Sequence, residues 1–227
     1  MTGIFRGLRG PITIAGLIVA GTVACASAAR THAVTPANEP VTNAYSARAP
    51  QLFRVRMGTS QGVVIVTVHR DWAPIGADRF YYLVQHGLLD GERFFRVRAN
   101  FIAQFGLNGD PAVIAAWKGR TIPDDSVRTS NLRGTLAYAM TGRNTRTTQI
   151  YFNLADNRRL DSQGFAPFGV VTSGMDAVDR LYSGYDESAG GGVRAGKQGL
   201  IESGGNDYLT RHFPKLDYIA HAVIMKP

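Results

Sequence analysis

The stretch Arg93-Phe94-Phe95-Arg96-Val97-Arg98, followed after Ala99-Asn100 by Phe101-Ile102-Ala103-Gln104-Phe105, decides how this chain is read. Each half is a short strand-like run bounded by turn-forming residues: Asp90-Gly91 before the first, Asn100 between them and Gly106 after the second. Arg96 stands in the first run and Gln104 among the apolar residues of the second. An amide in such a setting needs a hydrogen-bond partner.

The same kind of pattern extends in both directions. Upstream, Phe53, Val55 and Met57 alternate with Arg54 and Arg56, turn residues follow from Gly58 to Gly62, and residues 63–68 form a second β-branched run, which predicts a hairpin. A helix is expected next, with Pro74 near its start, Phe80, Leu83 and Val84 on one side, and Gly87 as its stop. Downstream, strand-like runs cover residues 135–140, 149–153 and 168–171. Met175, Val178, Leu181 and Tyr182 then mark a second helix closed by Gly184, and residues 218–225 read as a last strand. Many short strands with two helices favour a closed antiparallel barrel or a sandwich.

Three ordered blocks of residues resemble the cyclophilin family. Phe94-Phe95-Arg96-Val97 with Phe101-Ile102-Ala103-Gln104 is similar to its Phe-His-Arg and Phe-Met-x-Gln signature. Residues 134–140 with 144–153 (Asn144-Thr145-Arg146-Thr147-Thr148-Gln149-Ile150-Tyr151-Phe152-Asn153) resemble its substrate-groove strand. Leu160-Asp161, Phe168-Gly169-Val170-Val171 and Gly174-Met175-Asp176 complete the order. The resemblance implies a mainly β fold, a closed eight-stranded antiparallel barrel capped by two helices, with the groove on its outer face. It implies peptidyl-prolyl cis/trans isomerisation without a cofactor or metal, acting on proline-containing polypeptides. It further implies that Arg96 is the catalytic donor and Gln104 its holder, that Phe101, Ile102, Tyr151, Leu160 and Phe165 line the proline pocket, and that the backbone of Met140 meets the residue before the proline. The chain departs from the family pattern at Phe95 for His, Phe105-Gly106 for Gly-Gly, Met140 for Asn and Tyr151 for Phe. Tyr151 brings a hydroxyl to an apolar site, and slower turnover is the expectation.

The chemistry supports this choice of residues on its own terms. Rotation about an X-Pro bond breaks amide resonance against a barrier of about 18–20 kcal/mol and makes no covalent bond. The twisted amide has less charge separation and a more basic nitrogen, so an apolar ring pocket and one well-aimed donor both favour it. An always-charged, pre-organised guanidinium suits the donor role. A module with the same barrel that binds proline segments and turns them over poorly is the alternative; Met140 and Tyr151 are the features that keep it open.

Composition bounds the rest. With 227 residues, 44% of them hydrophobic, the chain holds one well-buried domain and little else. The formal charge of +8 comes almost wholly from scattered Arg, which reads as solvated surface and not as a nucleic-acid footprint. Arg6 and Arg9 before an apolar run over residues 11–24 read as an export signal ending near residue 28, too short for a typical membrane span. Ala26-Ser27-Ala28 fits one cleavage site and Val23-Ala24-Cys25 loosely resembles a lipoprotein box, so discard or lipidation of Cys25 both stand. A periplasmic or envelope location is expected, with membrane contact only through such an anchor or an uncleaved signal, and a monomeric state. The lone cysteine excludes an intramolecular disulfide. Residues 29–50 read as a flexible linker, and residues 51–227 as the isomerase domain. Gly191-Gly192-Val193-Arg194-Ala195-Gly196-Lys197-Gln198 nearly spells a phosphate loop, but Gln198 replaces the hydroxyl residue that holds magnesium. The stretch from Gly184 to Gly205 reads instead as a Gly-rich surface loop. Asp124-Asp125 reads as turn chemistry.

Overall fold

Alternation along Leu52–Thr59 (β1) buries Phe53, Val55 and Met57. Along Gly62–His69 (β2) it buries Val64, Val66 and Val68, and the two strands pair antiparallel from Leu52 opposite His69 to Thr59 opposite Gly62. A one-residue slip of either strand would turn its three apolar side chains to solvent, which fixes the register. The computed structural model describes residues 1–3, 48–190 and 198–226. Spatial grouping divides the chain into Met1–Thr31 and His32–Pro227. In the first unit only residues 1–3 are described, without secondary structure; every element below belongs to the second. All but the first three residues of the expected export signal, Cys25, most of the linker and the near-phosphate-loop run 191–197 lie outside the described residues. Ala49, read as linker, is buried and donates its N–H to Asp78 (2.9 Å), so ordered packing begins just ahead of residue 51.

Six further strands follow: Arg96–Arg98 (β3), Ile102–Phe105 (β4), Thr135–Tyr138 (β5), Ile150–Asn153 (β6), Pro167–Ser173 (β7) and Ile219–Ile224 (β8). They form one eight-stranded sheet in the order β3-β4-β6-β5-β7-β2-β1-β8, with every pairing antiparallel. The sheet curls on itself, but β3 and β8 share no ladder. The curl is joined just ahead of β3 and at the start of β8, by a bridge between Arg93 and Tyr218 and by N–H donation from Gly91 to Ile219, from Phe94 to Asp217 and from Ile219 to Glu92. The closure expected from sequence is therefore a short seam, because β3 begins only after the seam ends.

Helix α1 (Pro74–Gln85) starts with proline at its first turn and buries Phe80, Leu83 and Val84 against the sheet; Gly87, at φ +63°, turns the chain out of it. Its first N–H groups are capped from afar. Asp125 accepts from Ile75 (2.9 Å) and Gly76 (2.8 Å) and pairs with buried Arg146 (3.0 Å). That corrects the reading of Asp125 as turn chemistry: it is a buried carboxylate tying α1 to the loop between β5 and β6.

The helix inventory also exceeds the two expected. α2 (Pro111–Trp117) is capped by Asp110, whose side chain accepts from Ala112 (2.8 Å). α3 (Met175–Asp179) is shorter than the run expected to reach Tyr182. α4 (Gln198–His212) occupies part of the stretch read as a Gly-rich loop, and crosses a kink at Gly205, where φ is +52°. Ile201 and Leu209 of α4 pack with Phe95, Leu107, Ile114, Ala189 and Leu216 in a second apolar cluster. That burial, worth about 1.5–3 kcal/mol per large side chain, makes a helix out of a sequence whose glycines argue against one.

Candidate active site

Strand register assembles the site. Arg96 of β3 lies opposite Gln104 of β4, Gln104 opposite Tyr151 of β6, and Tyr151 opposite Ala137 of β5. Directly opposed residues share a face, so these four form one row across the sheet. The next row, Val97, Ala103, Phe152 and Leu136, points the other way into the core. Ile102, Ala137, Tyr151 and Leu160 form a small apolar cluster on the site face, flanked by Phe101, Ala139 and Phe165.

A cavity of 150 Å³ opens there, lined by Arg96, Phe101, Ile102, Gln104, Met140, Tyr151, Leu160 and Phe165 among others. All eight residues singled out in the sequence thus meet in one place. Met140 sits past the end of β5 at Tyr138, which leaves its backbone outside the ladder. Leu160 and Phe165 are supplied by the 3₁₀ turn Arg158–Gln163 and the residues just after it, closed by Gly164 in the left-handed region. The Phe165 ring meets that of Tyr151 edge-on at 6.0 Å.

The guanidinium of Arg96 is held on several sides. Its Nη1 donates to Gln104 Oε1 (3.2 Å), and Gln104 Nε2 donates to Gln149 Oε1 (2.8 Å). Gln149 Nε2 in turn donates to Gln198 Oε1 (3.0 Å) at the start of α4. Glu187 accepts from Arg96 Nε (3.0 Å) and Nη2, and lies 3.5 Å from Arg98 Nη1. The hydrogen bond from Arg96 holds the Glu187 carboxyl below the usual range, against the opposing effect of burial. Arg96 also stands 5.7 Å from the centre of the Phe101 ring, with Arg159 at 4.6 Å from the same ring. Gln149 belongs to the groove block quoted above, but Glu187 and Gln198 carry no local signal: they lie 91 and 49 positions from the residues they hold.

The hydroxyl of Tyr151 does not enter the apolar cluster as an orphan. It donates to Asn131 Oδ1 (3.0 Å), which also accepts from Asn153 (3.1 Å). Asn131 Nδ2 donates to Asp161 (2.8 Å) and to the Phe165 carbonyl (2.8 Å), so this buried amide fastens the 3₁₀ turn to β6. Burial raises the Tyr151 pKa, keeping the phenol protonated. At Asp161 burial acts upward, but hydrogen bonds from Ser130 and Asn131 outweigh it and the carboxyl titrates low.

A second cavity of 310 Å³ shares Thr141, Thr145, Thr147, Gln149 and Gln198 with the first and is walled by Trp117, Leu88 and Leu107. Glu92 lines it, with Oε2 buried and unpartnered, and burial pushes this carboxyl well above the ordinary range. Among the described residues, no three His, Cys, Asp or Glu side chains gather as a metal site, and no helix is long and apolar enough to cross a membrane.

A curled antiparallel sheet here holds a guanidinium beside a small cavity lined by apolar and polar side chains. The chain belongs to the cyclophilin-type peptidyl-prolyl cis-trans isomerases: residues 54–198 match the family described as cyclophilin type peptidyl-prolyl cis-trans isomerase/CLD. It is 34% identical over 141 residues to a peptidyl-prolyl cis-trans isomerase of Acinetobacter baylyi, a match spanning 60% of this chain and 75% of that one. It is 27% identical over 178 residues to peptidyl-prolyl cis-trans isomerase B of Escherichia coli, spanning 74% of this chain and 97% of that one. The fold is similar to that of a crystal structure of a cyclophilin-type isomerase from Cryptosporidium parvum, at a TM-score of 0.57 and 18% identity over 78% of this chain and 99% of the other. A second structure of that protein, determined in the presence of the dipeptide Ala-Pro, matches at 0.54.

Proposed function

We propose that this isomerase accelerates X-Pro rotation through Arg96, with the proline ring seated on Phe101, Ile102, Tyr151, Leu160 and Phe165. The observation that carries the assignment is the Arg96–Gln104 pair at the rim of the 150 Å³ cavity. That volume lies below the roughly 300–1,000 Å³ of drug-sized pockets and suits one residue. As the amide twists, its nitrogen lone pair localises and becomes a hydrogen-bond acceptor, which the planar amide does not offer. A guanidinium N–H aimed at that nitrogen stabilises the twisted state more than the ground state. The apolar walls favour the same state, because charge separation falls as resonance is lost. No bond is made or broken to the protein, so a donor and a pocket suffice. The backbone of Met140 would pair with the residue before the proline, and its position past the end of β5 supports this.

Isomerisation of a short peptide with one X-Pro bond, followed by the chain and by Arg96→Ala, tests the assignment. Loss of a single transition-state donor is expected to lower kcat/KM by about 10²–10³-fold. Arg96→Lys is expected to recover little, since an ammonium lacks the fork that Gln104 holds. A wild-type chain without acceleration would leave the proline-segment binder as the reading, and an Arg96→Ala variant as active as wild type would remove Arg96 as the donor.

The clients are proposed to be exported polypeptides, and the enzyme to act in the periplasm or cell envelope. Supporting this are the basic Arg6 and Arg9 ahead of the apolar run 11–24 and the small residues after it. Mass spectrometry of the N-terminus from expressing cells separates a chain starting at Ala29 from one lipidated on Cys25. A chain starting at Ala29 would remove the lipid anchor, and an intact Met1 would leave the uncleaved signal as the membrane contact.

A further inference from the structure

Phe95 lies just ahead of β3, which begins at Arg96. Arg96 looks onto the site, whereas Phe95, wholly buried, packs into the cluster that holds Ala189 and α4. Gly190 is seated directly against the Phe95 ring, leaving no room for a Cβ. On the other side of Glu187, the Tyr185 ring meets Tyr182 at 4.9 Å and Phe213 at 5.2 Å, both edge-on, and Ser188 N–H donates to the Tyr185 carbonyl (2.7 Å). Glu187 is thus carried on a segment packed on both flanks. The residue next to the arginine thus anchors, through its ring, the segment that presents the carboxylate.

Of the five N–H groups of the Arg96 guanidinium, Nε and one on Nη2 are given to Glu187 and one on Nη1 to Gln104. One hydrogen on each Nη is left for the substrate. A neutral amide acceptor alone holds a guanidinium weakly; a charge-assisted bond along the Nε edge holds it more firmly. We propose that Glu187 is a positioning residue for Arg96, fixing the guanidinium so that its remaining Nη hydrogens serve the X-Pro nitrogen. The inference rests on Arg96 being the catalytic group. It assigns the residues after α3 a part in the active site and gives Phe95 a purpose, since a polar ring there would weaken the anchoring cluster.

The experiment compares the full chain with Glu187→Ala, Glu187→Gln, Arg96→Ala and the Arg96→Ala/Glu187→Ala double variant, in peptide isomerisation and in NMR of the arginine Nε–H signals. Glu187→Ala is expected to lower kcat about 10-fold with KM changed less than about 2-fold, because the ring pocket is untouched while the donor is loosened. Glu187→Gln, which keeps an acceptor, is expected to recover most of that loss. In the Arg96→Ala background, removal of Glu187 is expected to change nothing further, since the two act as one unit. The Arg96 Nε–H signal, assigned by its disappearance in Arg96→Ala, should be protected from exchange in the full chain and lose that protection in Glu187→Ala. Unchanged or raised kcat in Glu187→Ala, a further loss in the double variant, or equal Nε–H protection with and without Glu187 each overturns the proposal. If Arg96→Ala instead retains full activity, the catalytic assignment fails, and the Nε–H comparison still decides whether Glu187 holds the guanidinium.

Discussion

Replacing Tyr151 by Phe removes one oxygen from the site and separates two accounts of it. From sequence, the hydroxyl is a polar intruder in an apolar pocket, and its removal would speed turnover. In the structure it donates to Asn131 Oδ1 at 3.0 Å, away from the apolar cluster, and that acceptor keeps a second donor, Asn153 Nδ2, at 3.1 Å. Losing the hydroxyl therefore leaves no buried group wholly unpaired. The cost should be that of an ordinary internal hydrogen bond, about 0.5–1.5 kcal/mol, and not the larger penalty of an orphaned acceptor. For a fold of this size that is a fall of about 2–4 °C in Tm per kcal/mol. The ring stays in contact with Phe165, so kcat/KM for an X-Pro peptide is expected to stay within about 2-fold of wild type. Thermal unfolding and peptide isomerisation measured on the same preparation check both halves. A gain of about 10-fold or more in kcat/KM, equivalent to about 1.4 kcal/mol in the transition state, would place the hydroxyl in the proline pocket and refute the account.

Asn131→Ala should be far more harmful, because that side chain binds Tyr151, Asn153, Asp161 and the Phe165 carbonyl at once. A loss of about 3–4 kcal/mol in denaturant unfolding is expected, with a raised KM as the Leu160–Phe165 wall loosens. Gly106→Ala would set a Cβ against Thr148 O and 2.5 Å from Gln149 Cα at a φ of +106°. It is expected to cost more than about 2 kcal/mol and to lower activity by displacing Gln149 from Gln104. Glu92 supplies a pH test. Its folded carboxyl is raised, so above the ordinary glutamate pKa of about 4.3 the folded form binds more protons than the unfolded chain. Its contribution is fully present below that pH and falls as pH rises towards the folded value, by up to about 1.4 kcal/mol per unit. Glu92→Gln lacks this dependence. Its stability relative to wild type should improve by more than about 1 kcal/mol between pH 5 and pH 7 in chemical denaturation, and a pH-independent difference would show that Glu92 is not held protonated.

What was legible in the sequence is whatever depends on local pattern. The β1–β2 hairpin follows from alternation, α1 from Pro74, its apolar stripe and Gly87, and the short strands from β-branched and aromatic runs between turn residues. The ordered motifs around Arg96, Gln104 and Tyr151 survive as text because they sit on strands whose register is set by those same alternations. Asp110-Pro111 was a readable signal for α2, an N-cap followed by proline at the first turn. The helix at Gln198–His212 had no such signal. Its glycines favour a loop, and only burial of Ile201 and Leu209 beside Phe95 overrides that preference. The same holds for the polar groups. That Asp125 caps α1, that Asn131 satisfies the Tyr151 hydroxyl, and that Glu187 and Gln198 hold the arginine pair are contacts between residues 20 to 91 positions apart. Hydrogen-bond and charge partners are chosen by distance in space, which periodicity does not encode. The sequence by itself therefore determined the strands and named the residues proposed for the groove and the donor. Only the tertiary structure decided what holds that donor still, because holding it requires side chains from segments that meet after the sheet has curled.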